Sequence, residues 1–125
     1  MLTTVQLTNS DDNQMRFFLA QPVVSPAVKE ALGTALALKG KVSDTQREIA
    51  QLSRQLKDIT DDQARLRANL TEVPPTSEAY KRYVKKFDDQ QTEIEQLQAD
   101  IKKLQDTEYA QRKSFESYLG SLDVE

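Results

Sequence analysis

Apolar residues recur at alternating spacings of three and four in two long stretches of this chain. In the first stretch the repeating positions are Val42, Thr45, Ile49, Leu52, Leu56, Ile59, Gln63, Leu66, Leu70 and Val73. In the second stretch they are Tyr80, Tyr83, Phe87, Gln90, Ile94, Leu97, Ile101 and Leu104. This spacing keeps one narrow stripe, here called the seam, facing a partner helix, which is the pattern of a coiled coil.

The two stretches are separated by a turn at residues 71–77. This turn contains Pro74 and Pro75, and proline is excluded from a helix interior because it lacks an N–H donor and clashes with the preceding turn. The sequence therefore predicts a mainly α fold, an antiparallel two-helix coiled-coil hairpin over residues 25–122 with its tip at 71–77.

The helix ends are predicted from capping residues. Ser25 is the expected N-cap of a first helix that begins at Pro26 and runs to about Glu72. Ser77 is the expected N-cap of a second helix, which runs to about Leu119, with Gly120 as its stop.

Folding back at the turn also predicts a register. Residues whose numbers add to about 153 should share a layer, because both helices rise equally per residue. The layers then pair Leu66 with Phe87, Ile59 with Ile94, Leu56 with Leu97, Leu52 with Ile101, Ile49 with Leu104, Leu38 with Phe115, Ala35 with Tyr118 and Ala31 with Leu122. Gln63 meets Gln90, so the two amides are expected to bond across the interface. Glu108 falls opposite Thr45, where it either points out to solvent or accepts a bond from the threonine hydroxyl.

Residues 1–24 carry a different pattern. Leu2–Thr8 and Met15–Gln21 are predicted to be two short strands, and the polar residues 9–13 between them are typical of a turn. A lone two-stranded hairpin is marginally stable in water and leaves two edges unpaired. The strands therefore either dock on the helices or are the end of a larger sheet domain, and we favour the larger sheet, which would make this chain part of a longer protein.

Composition argues against chemistry carried by this chain. The sequence contains no histidine and no cysteine, which removes the commonest general base, the commonest metal ligands and any disulfide. We therefore expect no enzymatic activity, no cofactor and no metal. The net charge of −3 disfavours nucleic acid and anionic membranes as partners, and no apolar run approaches the roughly 20 residues of a membrane span. The cellular compartment is left open.

Charged residues form two bands near the tip. An acidic belt comprises Asp61, Asp62, Asp88 and Asp89; a basic collar closer to the tip comprises Arg65, Arg67, Lys81, Arg82, Lys85 and Lys86. The collar, together with Pro74 and Pro75, is a candidate partner-binding tip. The alternative is that Asp61 with Arg65 and Lys85 with Asp89 are ordinary four-apart pairs on a solvated helix face.

The end of the hairpin far from the tip is a candidate docking base. Leu32, Leu36 and Leu119 lie beside the seam and widen the apolar stripe there. Gly33, Ala37 and Gly40 recur on the outward face of the first helix, where each glycine costs roughly 0.5–1 kcal/mol relative to alanine. Either another backbone approaches closely at this face or the long helix simply tolerates the glycines.

One stretch of sequence resembles a known family. The runs 5–10 (Val-Gln-Leu-Thr-Asn-Ser), 16–19 (Arg-Phe-Phe-Leu) and 62–70 (Asp-Gln-Ala-Arg-Leu-Arg-Ala-Asn-Leu) resemble the C-terminal part of large bacterial proteins of the mucoidy-inhibitor-like type. Those proteins combine a β-domain with long coiled coils. The resemblance implies a scaffold attached to a sheet domain, and it carries no catalytic motif.

These features favour a non-catalytic structural or protein-interaction module, a coiled-coil arm attached to a β-platform. The expected partner is another protein or the parent β-domain, and a homodimer stays open. The alternative is a binding arm whose basic collar recognises an acidic protein or a nucleic acid.

Overall fold

The computed structural model describes residues 25–122, and the predicted strands Leu2–Thr8 and Met15–Gln21 lie outside them. Helix α1 is Pro26–Leu70 and helix α2 is Glu78–Ser121. The two helices pack against each other as a hairpin around the turn at residues 71–77. The predicted helical hairpin is thus confirmed, and the part of the chain that the structure describes contains no strand.

Both predicted N-caps are confirmed. The backbone N–H of Val28 donates to Oγ of Ser25 at 3.2 Å, and that of Tyr80 donates to Oγ of Ser77 at 3.1 Å. Each serine thereby satisfies one of the N–H groups that a helix start leaves without an intrahelical acceptor. The Ser77 hydroxyl also approaches the carbonyl oxygen of Pro74 at 2.7 Å, which ties the cap to the turn.

The end of α1 comes earlier than predicted. The helix ends at Leu70 rather than at about Glu72. The N–H groups of Thr71 and Glu72 donate to the carbonyls three residues before them, at 3.2 and 3.0 Å, and the Thr71 hydroxyl donates to the Ala68 carbonyl at 2.7 Å. These i to i−3 bonds tighten the chain and satisfy carbonyls that the helix end leaves free.

The prediction that Gly120 ends α2 is wrong, because the helix continues through it to Ser121. A glycine stop depends on a left-handed backbone conformation, and no glycine among the described residues has a positive φ. The end is instead closed by the Leu122 N–H, which donates to the Leu119 carbonyl at 3.3 Å, and by the Ser121 hydroxyl, which donates to the Tyr118 carbonyl at 2.7 Å.

The chain forms two compact units, each built from both helices. The tip unit is Arg47–Gln105. The base unit comprises, among the described residues, 25–46 and 106–122. Every predicted seam position from Val42 to Val73 and from Tyr80 to Leu104 is buried or half-buried, so the 3-4 pattern correctly identified the faces that pack.

In the tip unit the predicted register is right but the predicted glutamine pair is wrong. Gln63 and Gln90 are both buried. Nε2 of Gln63 donates to Oε1 of Gln91 at 3.1 Å, and Nε2 of Gln90 donates to Oδ2 of Asp62 at 2.6 Å. The residue numbers add to 154 and 152, one on either side of 153. Each seam glutamine therefore bonds the residue next to the other glutamine, because its long side chain reaches past the centre of the layer.

In the base unit the register persists. Glu108, which was expected to point to solvent or to bond Thr45, has other partners. Gln46 Nε2 donates to Glu108 Oε2 at 3.2 Å, and Arg112 Nε donates to Glu108 Oε1 at 3.3 Å. The Thr45 hydroxyl lies 2.6 Å from Oε1 of Gln111 and 3.1 Å from the Lys41 carbonyl. Glu108 is neither free in solvent nor bonded to Thr45, since charged and amide donors flank it on both helices.

The apolar centre of the base unit comprises Leu32, Ala35, Phe115 and Leu119. Partly buried apolar side chains pack around it: Val28, Leu36, Leu38, Tyr118 and Leu122. The Tyr118 hydroxyl lies 3.5 Å from the Ala31 carbonyl on the facing helix. Small residues of α1 thus face aromatic residues of α2, which fills the space between the backbones.

The register predicts which engineered cysteines form a disulfide. Since the chain has no native cysteine, Leu52→Cys combined with Ile101→Cys should cross-link quantitatively under mild oxidation, because the two positions share a layer. Leu52→Cys combined with Ile94→Cys should not, because seven residues displace the second thiol by about 10 Å along the helix. Non-reducing mass spectrometry distinguishes the two results. Equal cross-linking of both pairs would contradict the register.

Candidate partner-binding site

The exposed tip is held in shape by the turn itself. Pro74 and Pro75 are both exposed. The Ser77 N–H donates to the Pro74 carbonyl at 3.0 Å, and the Lys81 N–H donates to the Ser77 carbonyl at 3.3 Å. The turn therefore presents the proline rings to solvent while its polar backbone groups are bonded inward.

The structure brings the six basic collar residues to exposed positions in the tip unit: Arg65, Arg67, Lys81, Arg82, Lys85 and Lys86. Lys85 pairs with Asp89 at 3.3 Å, as predicted for four-apart residues, and Lys81 pairs with Glu78 at 3.4 Å. The predicted pair of Asp61 with Arg65 is wrong. Asp61 pairs instead with Lys57 at 2.7 Å, and Arg65 pairs with Asp62.

Two collar residues interact across the helices. Lys86 Nζ lies 3.6 Å from Asp62 Oδ2, and the Arg67 guanidinium stacks over the Phe87 ring at 5.6 Å from its centroid. Arg82 is exposed and forms no ion pair within residues 25–122. Most of the collar charge is therefore compensated by nearby acids or by an aromatic face.

Asp62 is the point at which the collar and the seam meet. It accepts hydrogen bonds from Gln90 and Arg65 and lies beside Lys86. The pKa of Asp62 is lowered mainly by the hydrogen bond from the Gln90 amide; partial burial opposes the shift, and the positive charges of Arg65 and Lys86 add to it. The charged form of Asp62 is thus stabilised as an acceptor for a seam amide.

This network leaves one polar atom without a partner. Oε1 of Gln90 is buried and accepts no hydrogen bond from the described residues. An unmade bond of this kind costs about 1–3 kcal/mol. The sequence identified Gln90 as a polar seam residue and placed Asp62 in the acidic belt, but it did not predict the bond between them. The signal for that bond is that Asp62 directly precedes the seam glutamine Gln63.

The paired acids do not form a metal site. Within residues 25–122 no group of three or more acidic side chains is placed to hold a metal ion. Adjacent acids such as Asp61 and Asp62 diverge by about 100° around a helix, and here they pair with different cations.

The candidate docking base splits into buried and exposed positions. Leu32 and Leu119 are 1% and 0% exposed, so their side chains lie inside the base unit. Leu36, Gly33 and Gly40 are half-buried, and Ala37 is exposed. A methyl group placed at either glycine would meet no atom of the described residues within 4 Å, so nothing there explains these glycines by a close backbone approach.

A groove of about 290 Å³ runs along the base unit. It is lined by Leu38, Lys41, Thr107, Ala110, Gln111 and Ser114. The groove is open and mixes apolar, hydroxyl and amide groups, which suits a contacting side chain or loop better than an enclosed small molecule.

Neither α1 nor α2 has a stretch within the described residues that is long and apolar enough to cross a bilayer. No family model, curated protein or solved structure matches this chain. The resemblance to mucoidy-inhibitor-like proteins therefore stays a prediction.

The Asp62 network predicts an acid-dependent loss of stability. Because the folded-state pKa of Asp62 lies below its ordinary value of 3.8, its charge stabilises the hairpin above that value, and this contribution is lost as pH falls through the folded-state pKa. The Asp62→Asn variant keeps an acceptor for Gln90 but has no charge to titrate. We expect thermal unfolding to place its Tm below wild type at neutral pH, with the difference shrinking below about pH 4.

Asp88→Asn removes an equal charge at an exposed position and serves as the control. We expect its Tm difference from wild type to change little as the pH falls. A Tm difference between wild type and Asp62→Asn that stays constant down to pH 2 would contradict the role given to the Asp62 charge.

The open space at the glycines predicts stabilisation by alanine. Gly33→Ala and Gly40→Ala should each raise the free energy of unfolding by about 0.5–1 kcal/mol, because alanine loses less backbone freedom in a helix. Ala37→Gly, on the same helix, should lower it by a similar amount. Urea unfolding of the intact chain measures all three. Destabilisation by either glycine change would show instead that a backbone outside the described residues packs there.

Proposed function

We propose that this chain is a non-catalytic protein-interaction module, in which a coiled-coil hairpin presents a proline-containing tip to a protein partner. The observation that carries the proposal is the division of the surface in the tip unit. The seam residues of the two helices pack against each other. Pro74, Pro75 and the collar are exposed, and the turn between the helices is held by the hydrogen bonds of the Ser77 cap.

The tip is pre-organised for binding. A turn tied at Ser77 and a pair of prolines with restricted φ angles lose little conformational freedom when a partner binds, so more of the contact energy appears as affinity. The exposed prolines, together with Arg67 on the Phe87 ring, also supply contact area without a strong net charge. Attachment of the hairpin to a β-platform, as the predicted strands suggest, belongs to the same proposal.

The alternative function, recognition of an acidic protein or nucleic acid by the basic collar, has weaker support. Arg65 and Lys86 pair with Asp62, Lys85 with Asp89 and Lys81 with Glu78. A polyanion would have to displace these acids from the lysines and arginines. Because the exposed ion pairs are also screened by salt, the paired cations attract a polyanion weakly. Arg82 is the collar residue most available to an anion.

A photocross-linking experiment in the source cells distinguishes the two functions. A benzophenone amino acid at Thr76 in the tip should give a discrete adduct with a protein. The same probe at Gln98, exposed on α2 away from the tip, should not. Pro74→Gly with Pro75→Gly should abolish the adduct, because the tip loses its restricted conformation, while circular dichroism shows the helices intact.

Charge reversal of the collar provides the second arm. Lys81→Glu, Arg82→Glu, Lys85→Glu and Lys86→Glu together should leave the Thr76 adduct in place if the prolines carry recognition. Loss of the adduct in this variant and in high salt, with the proline variant unaffected, would transfer the function to the basic collar. Equal adducts from Thr76 and Gln98 would remove the tip as a binding site.

A further inference from the structure

The tip unit has two flanks, one on each side of its seam, and they differ in charge. The first, here called the glutamine flank, recurs every seven residues on each helix and is exposed throughout: Ser53, Thr60, Arg67, Val84, Gln91, Gln98 and Gln105. The second flank has the same spacing: Glu48, Gln55, Asp62, Asn69, Ala79, Lys86, Glu93 and Asp100. Coiled-coil flanks are commonly charged, and the second flank follows this rule. The glutamine flank has Arg67 as its one charge, and a scarcity of charge is typical of a surface that another protein surface covers.

The charges that border the glutamine flank are sorted between the two helices. Residues four positions after a flank residue lie on the same helix face; they include Lys57 and Ala64 on α1 and Asp88, Glu95 and Lys102 on α2. Residues 57–67 of α1 share their levels with residues 86–96 of α2, since level residues add to about 153. Over these levels the face carries cations on α1, Lys57 and Arg67, and acids on α2, Asp88 and Glu95.

Both acids are open to a cation from outside the chain. Asp88 and Glu95 are exposed and form no ion pair within residues 25–122. Lys57 pairs with Asp61 at 2.7 Å, yet its side chain stays 74% exposed. The chain itself therefore leaves the acids of this face uncompensated.

Small and apolar side chains on the same face allow a close approach. Val84 is 43% exposed, and Ala50 and Ala64 are exposed on α1. Ser53 and Gln98 are exposed too, and their side chains form no hydrogen bond with the part of the chain that the structure describes. Because the distance between packed helices is set by the side chains at the contact, such a face admits another pair of helices.

We propose that two copies of this chain associate face to face through the glutamine flank of the tip unit, with both tips at the same end. A two-fold axis parallel to the helices places α1 of one copy over α2 of the other and keeps each residue at its own level. The four helices then form a bundle in which neighbouring helices are antiparallel.

The charges select this arrangement. Lys57 and Glu95 have numbers that add to 152, and those of Arg67 and Asp88 add to 155, so each cation meets an acid of the other copy, and each contact occurs twice. Lys102 falls level with the uncharged Ala50. With the tips at opposite ends α1 would lie over α1 of the other copy, where the face carries only cations, and like charges oppose association.

The size of the face predicts a weak, concentration-dependent dimer. Residues 50–67 of α1 span about 26 Å and two adjacent helices are about 20 Å wide, so each copy contributes about 500 Å². The total of about 1,000 Å² is at the lower limit for a specific interface.

A dimer of this kind presents two proline tips together. Once one tip binds a partner assembly, the other is held at a high effective concentration beside it. The tip function does not depend on this association. A probe at Gln98 lies on the glutamine flank and would give at most a product of two copies of the chain, which its mass distinguishes from an adduct with a different protein.

Reciprocal charge reversal tests the contact between copies. Sedimentation equilibrium of the full chain at low salt, from about 1 to about 500 μM, should show a monomer–dimer equilibrium. Lys57→Glu sets acid against acid in both contacts and Glu95→Lys sets cation against cation, so each should weaken self-association at least about tenfold. An equimolar mixture of the two variants should associate about as tightly as wild type, because every acid then faces a cation again.

Lys103→Glu and Glu93→Lys make the same charge changes at exposed positions toward the second flank, and they should change self-association little. Circular dichroism checks that every variant keeps its helices. A wild-type chain that stays monomeric at the highest concentration would overturn the proposal and assign the glutamine flank to a different protein. A mixture that associates no better than the separate variants, or equal weakening by the two control variants, would overturn it as well.

Discussion

The antiparallel pairing of two helices across a 3-4 seam is the constraint on which the rest of this structure depends. Each helix alone would leave an apolar stripe in water, and the turn at Pro74 and Pro75 brings the two stripes together within one chain. Since an antiparallel pair rises equally on both sides of the turn, one register follows for both units. The bonds of Gln63 with Gln91 and of Gln46 with Glu108, whose numbers both add to 154, show it separately in each unit.

Polar residues in the seam add specificity at a cost in stability. Apolar layers tolerate a shift of one heptad, because leucine then meets isoleucine again. Gln63, which bonds Gln91, and Gln90, which bonds Asp62, share one layer only in the observed register. A shift of one heptad would place Gln63 opposite Leu97 and Gln90 opposite Leu70. A polar layer commonly specifies register in this manner, and the unpaired Oε1 of Gln90 is the cost that this layer carries. Its reliance on a charged Asp62 links the register to the charge pattern at the tip.

The same charge pattern shapes what the tip offers to a partner. In sequence the collar is a run of cations, but in the fold its members pair with acids on their own helix or across the seam. Arg67 lies over Phe87 rather than projecting freely. Among the described residues, what remains exposed at the tip is a turn with two prolines, together with Arg82 and Glu72, neither of which forms an ion pair there. This surface supports the proposal of protein recognition by shape more than recognition of a polyanion by charge.

Local pattern alone was enough to predict the hairpin, its turn, both serine caps and the register. These features follow from spacing, capping chemistry and the rigidity of proline, which act over a few residues, and the register adds only the condition that both helices rise equally. Sequence could not predict the partners of Gln63, Gln90 and Glu108, because their long side chains choose among several donors within reach, and only the packed geometry places Asp62 and Gln46 nearest. The sequence also could not predict that α2 continues through Gly120, because glycine permits a helix to end without requiring it. The burial of Leu32 and Leu119 was also decided by tertiary structure. The 3-4 pattern places both residues beside the seam and does not by itself predict that they are 1% and 0% exposed.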